Sequence, residues 1–312
     1  MQAVFANGHL ELFLSYAGDG DGGAAFVVRQ PRWPLGTQSG AVRFVSMKRR
    51  PFLFSLLIAA GTPALRAAEK KTISDPMLLG VEQSLIDSGL AAAFQQGFAR
   101  DTGIVVKLVP GSSAVVLAAL EQGEVDASMT NAPDLETQLE KQGLAHDRQR
   151  IASGDLVLVG PVTGKGKKAS DPAGLLGERD IATALSRLAQ SQAKFVSAAE
   201  GSGANLGELA LWRLAKVAPS APWYSKTPAN GDAIARAASQ GAYTVVERSV
   251  WLKRSAKPLA IVAEGDARMV NDVHVMRSFR VNHPAAKLFV KWVSGSTGRH
   301  VASSVRGWKS PS

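Results

Sequence analysis

From Lys71 onward the sequence alternates short apolar, β-type runs with helical stretches opened by small polar residues, and this rhythm restricts the fold more than any other feature. Residues 77–80 read as a strand, and Asp87 or Ser88 is placed to cap a helix whose Leu90, Phe94 and Phe98 recur on one face. Gly103 stands where such a helix ends in the left-handed region. Residues 104–109 form the next strand, Ser112 or Ser113 caps a helix over 114–121, residues 126–130 are extended, and Asp134 caps a helix that stops near Gly143. The second half keeps the pattern: strands at 156–160, 194–197, 242–246 and 258–262, helices at 180–190, 232–239 and 283–293, and a helix with Leu206, Leu209, Leu211 and Trp212 after the turn Glu200-Gly201-Ser202-Gly203. Strand, capped helix and strand in repetition predict an α/β fold built on a parallel-type sheet.

A chain of 312 residues predicts about two domains. Its 46% apolar content excludes a disordered or fibrous protein. Cysteine is absent, which removes disulfides, a thiol nucleophile and Cys-ligated zinc. Residues 1–46 show no sustained period, and we read them as an extension upstream of a start at Met47. Lys48, Arg49 and Arg50, the apolar run 52–60 and the small residues through Ala68 then form a secretory signal peptide, cleaved near Ala68. The apolar run is too short to span a bilayer, which takes about 20 residues. The remaining chain carries 29 basic and 23 acidic groups, a net charge of about +6. That is too mild and unclustered for nucleic-acid binding, so the expected localisation is the periplasm, with no nucleic-acid partner.

Two segments imitate catalytic motifs and fail on spacing. Between Gly160 and Gly164 there are three residues where a P-loop needs four, and Gly166 replaces the magnesium-holding hydroxyl after Lys165. Gly201 abuts Ser202, whereas a nucleophile elbow needs a residue between them. The histidines have no metal-ligating spacing. The sequence therefore reads as a non-enzyme, with no cofactor and no metal site.

What recurs is a Ser, Thr or Asn at strand-to-helix junctions: Ser84 and Ser88, Ser112 and Ser113, Thr130 and Asn131, Ser202 and Asn205. Ordinary N-capping explains each singly. Collected at the carboxyl ends of strands in an open α/β sheet, such junctions line one crevice and offer unpaired N–H groups with a positive dipole, the makings of a site for a small anion or small polar solute.

Leu78-Leu79-Gly80, Ser84, Asp87-Ser88-Gly89-Leu90, Thr102-Gly103-Ile104-Val105-Val106-Lys107, Leu120-Glu121-Gln122-Gly123-Glu124-Val125-Asp126, Asn131-Ala132-Pro133, Gly154-Asp155-Leu156-Val157-Leu158-Val159-Gly160-Pro161, Gly201-Ser202-Gly203 and Pro222-Trp223-Tyr224 together resemble the tungstate-binding periplasmic proteins of ABC importers, within the type II solute-binding superfamily. The resemblance runs over about residues 74–308. It implies two α/β lobes joined by two crossings, near 155–161 and 273–277, with lobe one at residues 72–156 plus 272–312 and lobe two at 157–271. It also implies a ligand between the lobes, a tungstate- or molybdate-like oxyanion, and an inner-membrane ABC permease as partner. The candidate ligand-binding residues are Glu82, Gln83, Ser84, Ser112, Ser113, Thr130, Asn131, Asp155, Ser202 and Gly203.

The family's Thr-Thr-Thr-Ser segment falls on Val81-Glu82-Gln83-Ser84, so one hydroxyl donor survives of four. The family's Arg before the second Ser-Gly turn falls on Ala198, which removes a bidentate cationic clamp. These departures predict weaker tungstate binding and a solute that carries its own hydrogen-bond donors. A non-transport sensory or interaction protein on the same scaffold is the second reading.

Overall fold

The computed structural model describes residues 71–311. The signal peptide, its cleavage near Ala68 and residues 1–46 lie outside the described residues. Strand β1 (Met77–Glu82) runs between β2 (Val106–Gly111) and β3 (Ala127–Thr130), parallel to both. β3 pairs antiparallel with β9 (Val270–Ser278), and β9 pairs with the near half of β4 (Ala145–Pro161). The far half of β4 pairs antiparallel with β7 (Thr244–Glu247) and β8 (Leu259–Ala263). A separate parallel pair joins β5 (Phe195–Ser197) and β6 (Tyr224–Lys226). The sheet is therefore mixed rather than parallel throughout. One long strand leaves the first lobe and another returns to it, so β4 and β9 must run antiparallel where they meet.

The apolar packing changes hands along these two strands. Ile151 and Ala152 belong to a core with Leu79, Phe94, Phe98, Val273, Val275 and Phe289, whereas Leu156 and Leu158 belong to a core with Leu185, Phe195, Trp212, Tyr243, Val245 and Met269. Core membership thus changes near residues 152–156 of β4 and 269–273 at the start of β9. The segment 273–277, where the sequence suggested the second crossing, is bonded to β3 inside the first sheet, with Val275 opposite Met129 and Arg277 opposite Ala127.

The helices follow from their caps. Ser112, Asp180, Ser202, Asp232 and His283 each accept a first-turn amide, starting α3 (Ser113–Gln122), α5 (Ile181–Ser191), α6 (Gly203–Leu214), α7 (Ala233–Gln240) and α9 (Pro284–Ser294). Two starts differ from expectation. A short helix, α1 (Gln83–Asp87), follows β1 directly, and α2 (Leu90–Thr102) is preceded by Gly89 at φ 83°, a conformation that suits glycine. Ser88 instead bonds the Leu85 carbonyl and accepts from the Trp308 indole. In α4 (Pro133–Lys141) Ala132 is the cap and Pro133 takes the first position, leaving Asp134 in the first turn. Leu90, Phe94 and Phe98 of α2 are fully buried as their spacing predicts, each contributing about 1.5–3 kcal/mol of burial, and Phe98 meets Phe289 edge-on at 5.2 Å. The short α8 (Arg248–Arg254) follows β7, and α10 (Ser296–Ser304) packs on α9 and α2.

Candidate functional site

Two strands end alike. β1 ends on Glu82 and runs directly into α1, and β7 ends on Glu247 and runs directly into α8. Both carboxyls are buried, at 1% and 4% exposure, and both line a cavity of about 160 Å³ together with Gln83, Ser84, Ser112, Ala198, Ser202 and Arg254. The N-termini of α3 and α6 converge here. Ser112 Oγ takes the Val115 amide, Ser202 Oγ takes the Asn205 amide at 3.2 Å, and the Ala114 amide donates to the Gly201 carbonyl at 3.0 Å, tying the two helix starts together. Gly201 sits at φ 76°, which lets the turn bring that carbonyl to α3.

Burial pushes the Glu82 carboxyl up to about 8. The Ser113 hydroxyl and the Ser113 and Gly203 amides favour its charged form, nearby Glu247 opposes it, and burial outweighs the donors. Its Oε2 has no hydrogen-bond partner, and neither has Ser84 Oγ. Glu247 is likewise raised by burial.

Asn131 is the junction piece. Its Nδ2 donates to Asn271 Oδ1 at 2.9 Å and to Glu247 Oε1 at 3.3 Å, and its Oδ1 accepts from Ser113 Oγ at 3.1 Å. It packs so closely on Gly203 that any side chain there would overlap its amide. The residue just after β3 is thus joined to residues of α3, β7 and β9 at one point. Beneath α6, Glu208 accepts from Ser197 Oγ, the Trp212 indole and the Tyr224 hydroxyl, fixing the helix whose first turn faces the cavity.

Of the residues suggested by the sequence, Glu82, Gln83, Ser84, Ser112 and Ser202 line this cavity, while Ser113 and Gly203 lie against Asn131. Asn131 and Gly203 also face a larger neighbouring cavity of about 590 Å³, whose Arg148 and Arg268 are ion-paired with Glu136 and with Asp180 and Asp266. Thr130 is elsewhere: its hydroxyl donates to buried Glu136 at 2.8 Å, within a cluster that includes His274 and Arg148. Asp155 is held by Arg248 at 2.6 Å on the β4 crossing and does not line the cavity.

The sequence reading missed Glu247, Asp87, Asp232 and Arg254. Arg254 lies at the cavity rim between Asp87, at 2.9 Å, and Asp232, so one guanidinium on α8 links α1 to the start of α7. The signal for Glu247 was present: a glutamate directly after an apolar strand and directly before a helix, as at Glu82. A count of junction residues confined to Ser, Thr and Asn passes over it.

Among the described residues no cluster of His, Asp or Glu could hold a metal ion, and no helix is long and apolar enough to cross a membrane. Two lobes, two crossings and a polar cavity at converging helix N-termini define a type II solute-binding protein. The chain belongs to the PBP superfamily, whose domain matches residues 66–296. The tungstate-binding protein TupA of Peptoclostridium acidaminophilum is 30% identical over 234 residues, covering 72% of this chain and 79% of that protein. The crystal structure of the tungstate ABC transporter from Geobacter sulfurreducens matches with a TM-score of 0.64 at 28% identity, over 74% of this chain and 98% of that one. Tungstate-binding protein TupA from Desulfovibrio alaskensis matches with a TM-score of 0.62 at 25% identity, over 76% and 100%. The chain is a solute-binding protein of this superfamily, and its relatives favour this reading over a sensory role.

Proposed function

We propose that the protein is exported to the periplasm, captures a small polar solute in the cavity between Glu82 and Glu247, and delivers it to an inner-membrane ABC permease without chemical change. The observation that carries this reading is the convergence of α3, α6, β1 and β7 on one polar cavity at the point where the chain crosses twice between lobes. A division close to residues 156/157 and 271/272 is supported in part by the packing, because Ala152 and Val273 share the first core and Met269 packs in the second, although Leu156 already packs in the second core. Two strand crossings are a hinge of the kind that lets lobes close on a ligand. The Arg254–Asp87 pair, which joins an element of each lobe, favours the closed arrangement.

Export is supported by the charged and apolar leader, and mass spectrometry of the protein from its host should find a mature start near Ala68 or Glu69. Receptor action is tested by small-angle scattering on the purified protein with and without each member of a solute panel. A saturating solute should reduce the radius of gyration and raise the melting temperature, since ligand at 100 times its Kd stabilises by about 2.7 kcal/mol. Binding in this cavity with no compaction would contradict lobe closure.

A further inference from the structure

We propose that the cavity takes a small solute bearing a positive charge and N–H donors, an amine or guanidine, with Glu82 standing where an oxyanion would meet the two helix N-termini. The inference rests on the reading of this cavity as the solute site.

Several of the donors that would hold an anion are already engaged. In the first turns of α3 and α6 the Ala114 amide goes to the Gly201 carbonyl, the Val115 amide to Ser112 and the Asn205 amide to Ser202, and the Ser113 hydroxyl goes to Asn131. An incoming oxyanion would share the cavity with a buried carboxyl that is part of the chain and cannot diffuse away. The cations are engaged as well: Arg254 is the one basic residue among the described residues lining the cavity, and two aspartates hold it.

The acceptors, by contrast, are in surplus. Glu82, Glu247, Asp87 and Asp232 put four carboxyls around the cavity against a single guanidinium. Glu82 is almost fully buried, lines the cavity and has an Oε2 with no partner. A buried oxygen without a donor is costly, and it is the feature a ligand N–H would satisfy. Ser84 Oγ, also without a partner, offers a hydroxyl that can accept or donate on the same wall. A cation between Glu82 and Glu247 would favour the charged form of both carboxyls and be attracted by each. A fully ionised oxyanion in the same place would oppose that ionisation.

Calorimetric titration of the purified protein tests this, using methylamine, ethylenediamine, guanidine and agmatine against sodium tungstate, molybdate and sulfate. At least one of the four cations should bind saturably and more tightly than every oxyanion, and Glu82→Gln should weaken it about 10- to 100-fold, the worth of one charged hydrogen bond. Glu247→Gln, on a different strand, should also weaken it, so the result does not hang on one variant folding; thermal melts verify both. Tighter binding of an oxyanion by the wild type would overturn the cation assignment and leave the receptor reading standing. Cation binding unchanged in both variants would place it outside this cavity and overturn the inference. Binding of no cation overturns the inference, and if no oxyanion binds either, the receptor reading fails with it.

Discussion

Glu82 and Glu247, 165 positions apart in the chain, end two strands in the same manner and bring their carboxyls into one cavity, each inside the field of the other. Both are raised by burial, Glu82 to about 8. A carboxyl raised on folding binds its proton more tightly in the native state, so its contribution is fully present below the ordinary value of 4.5 and is lost as pH rises through the folded value. Thermal melts should therefore show stability falling between about pH 5 and pH 8.5. Glu82→Gln should flatten that fall and gain about 1–3 kcal/mol at pH 8.5, the scale of one buried polar group relieved of its charge. A wild-type profile that rises across this window would contradict the assignment.

Glu136 works in the opposite direction. Burial pushes its carboxyl up, but His274, the Ala132 amide and the Thr130 hydroxyl together hold it below its ordinary value. Its stabilisation is present above the unfolded value and lost as pH falls through the folded one. Glu136→Gln should lower stability at neutral pH by about 1–3 kcal/mol and weaken the acid side of the profile. Because Thr130 belongs to this cluster and not to the cavity, Thr130→Val should cost stability while leaving solute affinity unchanged, as calorimetry would show.

Gly203→Ala isolates the junction. A Cβ at this position overlaps the Asn131 amide, which would have to leave its bonds to Ser113, Glu247 and Asn271. The expected outcome is a loss of about 1–3 kcal/mol on chemical denaturation, typical of overpacking, together with weakened solute binding. Native-like binding would show that Asn131 does not organise the cavity.

Much of this fold was legible because local signals agreed with tertiary packing. Ser112, Asp180, Ser202, Asp232 and His283 cap the helices their positions suggested, and Leu90, Phe94 and Phe98 face a core. The near half of β4 escaped notice because His146, Asp147, Arg148, Gln149 and Arg150 show no apolar alternation, and its register shifts between His146 and Gln149, where Asp147 adopts a positive φ. β9 escaped because Asn271 and His274 are polar residues turned inward to partners that no sequence pattern reveals. The acidic character of the cavity was half visible: Glu82 and Asp87 sat inside recognisable segments and Glu247 repeats the junction pattern of Glu82, whereas their convergence with Asp232 on one cavity arises only through tertiary folding.

The lobe contact through Arg254 has its own test. Asp87→Asn should change global stability little, since ion pairs this exposed contribute about 0–1 kcal/mol. It should nevertheless enlarge the radius of gyration of the solute-free protein in scattering, because the pair joins α1 to α8 across the lobes. An unchanged radius would mean that the pair has no part in holding the lobes together.

The most direct measurement is tungstate calorimetry on the wild type and on the Glu82→Thr, Ala198→Arg double variant. The substitution at 82 removes the internal carboxylate and restores a hydroxyl, and the one at 198 places a guanidinium on the cavity wall. The account predicts negligible tungstate binding by the wild type and measurable binding by the double variant, whose two recovered charge-assisted bonds are worth about 1.5–3 kcal/mol each. Nanomolar tungstate binding by the wild type, unaltered in the variant, would contradict it.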